Sequence, residues 1–197
     1  MSNAHVLNAD CLTALRDMPD ASVDAVVTDP PYGMAYVSHA SSYKAGIVRP
    51  PTAPIAGDEN AQLRDDILAA WGDRPALVFG TWRVPRPPAA RALVVWDKGD
   101  SPGTGALDIP WGPSHEEVYV LGRGFVGKRR GGVLRVTALS SQDRRRKGHP
   151  TPKPQALMEM LIDACPPGVI ADPCAGSGPT LVAAKALGRR AVGVELE

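Results

Sequence analysis

The chain has 197 residues, the size of one domain or of one domain with a small insert, and 44% of them are hydrophobic against 22% charged. No apolar run approaches about 18 residues, which excludes a membrane-crossing helix, and the opening Met1-Ser2-Asn3-Ala4-His5 lacks the basic stretch and apolar run of a secretion signal. The net charge of +1 hides an asymmetry: residues 122–149 hold nine Lys or Arg and one acid, for +8, while the rest of the chain stands at −7.

In chain order, one event repeats. A short apolar strand ends and an acidic residue follows at once. His5-Val6-Leu7-Asn8-Ala9 leads to Asp10, residues 24–28 lead to Asp29, Val169-Ile170-Ala171 leads to Asp172, and Ala191-Val192-Gly193-Val194 leads to Glu195. Short β-branched runs of this kind suit buried parallel strands. Helices are expected between them. Residues 11–18 carry Leu12 and Leu15 before Pro19, and 60–71 place Leu63, Ile67, Leu68 and Trp71 on one face. Residues 154–165 start near Pro154 and stop at Pro166-Pro167-Gly168, and a last helix runs from Pro179 to Leu187 before Gly188. Further strands are predicted at 76–80, 92–96 and 117–121. Segments 33–58 and 97–114 lack periodicity and read as long loops. The basic block at 122–149 is either a surface for a polyanion or a solvated loop.

Strands alternating with helices imply an α/β fold with a doubly wound, mostly parallel sheet. Ligands of such sheets bind beyond the carboxyl ends of the strands, so four carboxylates at four strand ends would crowd one edge. The three cysteines (Cys11, Cys165, Cys174) are odd in number and far apart in the sequence, with neither a disulfide-framework nor a zinc-ligand pattern, which fits a reducing cytoplasm. No metal ligands are predicted.

Two motifs carry chemistry. Residues 172–178 read Asp-Pro-Cys-Ala-Gly-Ser-Gly before a helix start, where glycines allow close backbone approach and the helix end offers free N–H groups. Glu195 follows 23 residues after Asp172, where an acid can accept both hydroxyls of a ribose; the alternative is a structural turn. Residues 29–32 read Asp-Pro-Pro-Tyr after a strand. The prolines stiffen the backbone, so the Asp29 carboxylate, the Pro30 carbonyl and the Tyr32 ring present two acceptors beside a stacking face; the alternative is a proline-rich turn.

The pair Asp-Pro-Pro-Tyr (29–32) and Asp-Pro-Cys-Ala-Gly-Ser-Gly-Pro-Thr (172–180) resembles the DNA amino-methyltransferases, which use S-adenosylmethionine to methylate adenine N6 or cytosine N4. The catalytic motif precedes the cofactor motif, as in their β group. His149-Pro150-Thr151-Pro152-Lys153-Pro154, Asn8-Ala9-Asp10-Cys11 and the blocks at 79–83, 96–99 and His115-Glu116 are also similar to that family, so the resemblance spans nearly the whole chain. Departures are Cys174 where the family has Phe, Pro179 where it has Thr, and a stop at Glu197 where the family continues with a helix.

The resemblance implies a Rossmann-like methyltransferase fold with circularly permuted motif order. It implies a single domain over 1–197, with a basic target-recognition-like insert at about 122–150. S-adenosylmethionine would meet Asp172, Pro173, Cys174, Ala175, Gly176, Ser177 and Gly178, with Thr151 and Lys153 near its carboxylate. Glu195 would hold the ribose hydroxyls, and Asp10 with the Cys11 N–H would hold the adenine. Asp29, Pro30, Pro31 and Tyr32 would form the catalytic motif, which polarises the target amine and stacks on an extruded base. Lys128, Arg129, Arg130, Arg144, Arg145, Arg146 and Lys147 would meet the phosphates of double-stranded DNA. So small an insert suits a short recognition sequence or a homodimer. Adenine N6 is the expected target because the tetrapeptide begins with Asp. Cytosine N4 is the alternative, and a catalytically silent DNA-binding module is the rival of another class.

Overall fold

The computed structural model describes residues 4–31, 60–99, 108–140 and 152–196. In chain order these form β1 (Ala4–Asn8), α1 (Cys11–Asp17), β2 (Ala25–Thr28), α2 (Gln62–Trp71), β3 (Ala76–Gly80), β4 (Ala92–Asp97), β5 (His115–Leu121), β6 (Val133–Arg135), α3 (Gln155–Asp163), β7 (Val169–Asp172), α4 (Pro179–Ala186) and β8 (Arg190–Glu195). Among the described residues the strands make one sheet in the order β1-β8-β7-β2-β3-β5-β4-β6. Only β5 runs antiparallel to its neighbours β3 and β4; the other described pairings are parallel.

Alternation along the strands explains the layers. Ala25, Val27, Leu77, Phe79, Val118 and Ile170 face one side and pack with Leu157, Leu161 and Ile162 of α3 and Leu181 and Ala184 of α4. Val26, Ala76, Val78, Tyr119 and Ala171 face the other side with Leu15 of α1 and Ile67 and Trp71 of α2. The central strands are buried on both faces, so their apolar runs are continuous. Each large side chain so buried contributes about 1.5–3 kcal/mol.

The direction of winding reverses between β7 and β2. From β7 the chain passes through α4 to β8, and from β2 through α2 to β3, on opposite sides. A crevice at such a reversal is where ligands of open α/β sheets bind.

The structure departs from expectation in local ways. β6 lies inside the basic segment and pairs with β4, a three-residue strand too short to leave a pattern. β5 begins at His115, two residues early, because the edge pairing Asp97↔His115 extends it. α3 ends at Asp163 because its final turn tightens: Ala164 and Cys165 donate to the carbonyls three residues back. Arg189 then collects the carbonyls of Ile162, Cys165 and Gly168 at 3.2–3.4 Å, satisfying acceptors that the helix end leaves open.

Candidate active site

β1, β8, β7 and β2 are consecutive and parallel in the sheet, so the acids that follow them share one edge. Asp10, Glu195, Asp172 and Asp29 are thereby lined up in that order, and the register pairs Asn8 with Glu195 and Asp172 with Gly193. Asp10 is the N-cap of α1. Its Oδ1 accepts from the Thr13 N–H and the Thr13 hydroxyl, both at 2.8 Å, and these bonds hold its carboxyl below the usual range.

Asp172 lies under the glycine loop. It is only 2% exposed, and burial pushes its carboxyl up to about 6 despite the bonds it accepts. Thr180 on α4 donates to its Oδ2 at 2.5 Å and the Cys174 N–H to its Oδ1 at 3.2 Å. Its side chain thus ties the loop to the helix start. Glu195 does the same from the next strand, accepting from the Gly176 N–H at 2.5 Å, while Ala175 N donates to the Val194 carbonyl at 2.9 Å. Pro173 and Ala175 are buried, Cys174, Gly176 and Gly178 are half-buried, and Ser177 is exposed. Gly178 caps α4 in the left-handed region at φ 78°, and a Cβ there would meet nothing within 4 Å. The loop's outer side is therefore open. Gly193 is the opposite case: a Cβ there would come within 2.8 Å of Ala175 and Leu181, so only glycine lets the loop and α4 settle on β8. Cys11 and Cys174 both pack on the face of the sheet that holds α1 and α2. The neighbouring Cys11 thiol, with burial, raises the Cys174 thiol well above its usual range.

Asp29 follows β2 on the other side of the reversal, with Pro30 buried and Pro31 half-buried behind it. Its Oδ2 accepts from the Lys153 ammonium, 124 residues away in sequence. Lys153 is 4% exposed, sits between buried Pro152 and Pro154, and lies 4.8 Å from the centre of the Phe79 ring. It also reaches Glu116 Oε2 at 3.1 Å, and Glu116 Oε1 meets Lys98 at 2.6 Å. Burial alone would raise the Glu116 carboxyl, but Lys153 and Lys98 outweigh it and hold it below the usual range. The resemblance expects Lys153 near the cofactor's carboxylate; the structure stands it against Asp29 and Glu116.

Tyr32, Thr151, Arg144, Arg145, Arg146 and Lys147 lie outside the described residues. Lys128, Arg129 and Arg130 are exposed, and Arg130 meets Asp163 at 3.1 Å. The stretch that bears them is anchored by Phe125, Val136 and Ala138, which pack on the core. Sequence reasoning passed over Thr180, Gly193 and Lys98 as site residues. Thr180 follows the helix-start proline, a spacing that could have marked it as a partner of Asp172.

A family model described as DNA methylase, of the N6/N4 type, matches residues 95–197, just over half of the chain. The chain belongs to this DNA methylase family. YubD of Escherichia coli strain K12, which carries the name of a methylase, is 27% identical over 207 residues, covering 96% of this methylase and 83% of YubD. The M1.HpyAVI–SAM complex has a similar fold, with TM-score 0.67 at 22% identity over 98% of this chain and 93% of that one. So does the cytosine-N4-specific PvuII DNA methyltransferase, with TM-score 0.67 at 15% identity, covering 100% and 83%. The matched stretch of the methylase takes in Glu116, Lys153, the loop from Asp172 to Gly178 and Glu195, while Asp29 precedes it.

Proposed function

We propose that the chain transfers a methyl group from S-adenosylmethionine to the exocyclic N6 of adenine in double-stranded DNA. The observation that carries the reading is the meeting of Asp29-Pro30-Pro31 and the glycine loop on either side of the sheet's reversal, at one edge. The loop fits the cofactor: its outer side is open at Gly178, and Glu195 and Asp10 stand on the neighbouring strand ends. Gly176 and Gly178 would line the methionine and ribose, Glu195 would accept from the ribose hydroxyls, and Asp10 from the adenine amino group.

When bound, the cofactor supplies an electrophilic methyl group on a sulfonium. Asp29 and the Pro30 carbonyl accept hydrogen bonds from the target amine, which shifts electron density onto a nitrogen otherwise conjugated into its ring. The amine nitrogen would bond to that methyl as its bond to sulfur breaks, the electron pair staying on sulfur as a neutral thioether, and the proton then lost from the nitrogen would pass to water. Rate comes from fixed dipoles and positioning. Tyr32 would stack on the extruded base, and exposed Lys128 and Arg129 suit phosphates.

Tritiated methyl transfer to unmethylated DNA, followed by nucleoside analysis, tests this. Wild type should yield N6-methyladenine, and Asp29→Ala should lose about 10²-fold or more in turnover, as for other fixed groups acting on developing charge, with cofactor binding kept. Equal rates would overturn the mechanism. A second reading, cytosine N4, is favoured by the whole-chain likeness in fold to the PvuII enzyme, and N4-methylcytosine as product would select it.

A further inference from the structure

Four charges form a line across the edge of the sheet: Asp29 after β2, Lys153 before α3, Glu116 on β5 and Lys98 after β4. The line alternates in sign and sums to zero. Lys153, one of the two inner members, is the best buried: its side chain is 4% exposed while the other three are 20–25%. Burying an ammonium costs several kcal/mol unless it is paired. Here two carboxylates from different strands and the face of Phe79 compensate it. Glu116 pairs with a cation at both oxygens, Oε1 with Lys98 at 2.6 Å and Oε2 with Lys153 at 3.1 Å, the second as an ion pair without a hydrogen bond. Lys153 is held from behind as well, because prolines on both sides restrict its backbone. Asp29 is what this arrangement grips.

We propose that Glu116 is a positioning residue of the methyl-transfer site, acting through the Lys153 ammonium to hold the Asp29 carboxylate in its working place. The inference rests on the function proposed above and deepens it. Glu116 touches neither base nor cofactor in this scheme. Removing its charge leaves Lys153 with Asp29 as its remaining anionic partner among the described residues, in a site 4% exposed. The ammonium then draws harder on Asp29 or swings toward water, and the carboxylate moves with it. Displacement of a reacting group by about 1 Å costs up to about 10²-fold in rate. Glu117, the next residue, faces the other side of the sheet toward Arg86 and Tyr119, which makes it the control.

The test compares full-length wild type, Glu116→Gln, Glu116→Asp and Glu117→Gln in two assays. In tritiated methyl transfer, Glu116→Gln should lower kcat roughly 10- to 100-fold. KM for cofactor and DNA should be unchanged, and Glu116→Asp should recover part of the rate. In ¹⁵N–¹H NMR, the Lys153 ammonium signal, assigned by its Overhauser contact with the Phe79 ring, should shift or vanish in Glu116→Gln. It should persist in Glu116→Asp and Glu117→Gln. Retained kcat, a loss appearing only in KM, or an unmoved Lys153 signal in Glu116→Gln overturns the proposal. If wild type methylates no DNA, the proposed function fails. The NMR assay then decides the charge line by itself: a displaced signal upholds the hold of Glu116 on Lys153, and an unmoved one overturns it.

Discussion

The two halves of the sheet treat their carboxylates differently. In the half made of β1, β8, β7 and β2, the strand-end acids Asp10, Glu195 and Asp172 accept from uncharged donors: Thr13, the Gly176 N–H, Thr180 and the Cys174 N–H. In the half made of β3, β5, β4 and β6, the acids meet cations. Glu116 meets Lys98 and Lys153, Glu117 meets Arg86 in a two-pronged contact at 2.5 and 3.2 Å, and Asp97 meets Arg135 at 2.7 Å. In the proposed function, the first half leaves its carboxylates without a cation partner among these bonds, and Asp10 and Glu195 would meet the ligand's amino and hydroxyl groups. The second is neutralised in place and serves as a frame. Asp29 stands at the boundary and is the strand-end acid of the first half that the frame reaches, through Lys153.

The largest effect that breaks this comparison is expected at Asp172. Its folded carboxyl titrates at about 6 against an ordinary 3.8, because it is buried among uncharged donors. The folded state therefore holds the proton more tightly than the unfolded chain does. Below about pH 4 both states are protonated and nothing is lost. As pH rises from about 4 to about 6 stability falls, and above that a constant cost of about 3 kcal/mol remains. Asp172→Asn, with its amide oxygen toward the Cys174 N–H and its amide nitrogen toward Thr180, should raise Tm at pH 7.5 and leave it unchanged at pH 4. Thermal melts at the two pH values check this, and equal shifts would show that the carboxylate carries no burial cost.

A smaller effect is expected at Glu195. Glu195→Ala should weaken binding of the demethylated cofactor by about 1–3 kcal/mol, the scale of charge-assisted hydrogen bonds. Calorimetry on the intact chain measures it, and unchanged affinity would place the ribose elsewhere. The smallest belongs to the frame's rim. The Arg135 side chain is 78% exposed, so Arg135→Ala should cost under about 1 kcal/mol, and less at high salt. A larger loss in urea titration would mean that β6 carries more of the sheet than its three residues suggest.

How much of this was legible in the sequence follows from range. The order apolar strand, acid, helix is local, so 24–28 before Asp29 and 169–171 before Asp172 could be read directly, and the carboxylates do share one edge. The glycine loop was legible because Gly176 and Gly178 sit within one turn of a helix start. The hold of Lys153 on Asp29 spans 124 residues and belongs to no periodic pattern. The same holds for Arg189 capping α3 and for Gly193, whose missing side chain matters only because Ala175 and Leu181 press on it. The antiparallel sense of β5 was hidden because hydrophobic alternation says nothing of strand direction. β6 was hidden because it has three residues and only Leu134 is buried, between exposed Val133 and Arg135.

The order of strands also has a consequence for synthesis. β1 pairs only with β8 among the described strands, from Ala4↔Ala191 to Asn8↔Glu195, so a strand made early waits for one made about 190 residues later. Ribosomes add about 5–20 residues per second, which separates the two by roughly 10–40 s. During that interval Val6 and Leu7 have no β8 to pair with, and even in the finished fold they remain 64% and 43% exposed. Limited proteolysis of stalled nascent chains should cut at β1 until β8 has cleared the exit tunnel. Within this stretch of the methylase, β1 thus stays open to chaperones, or to mispairing, until β8 has been made.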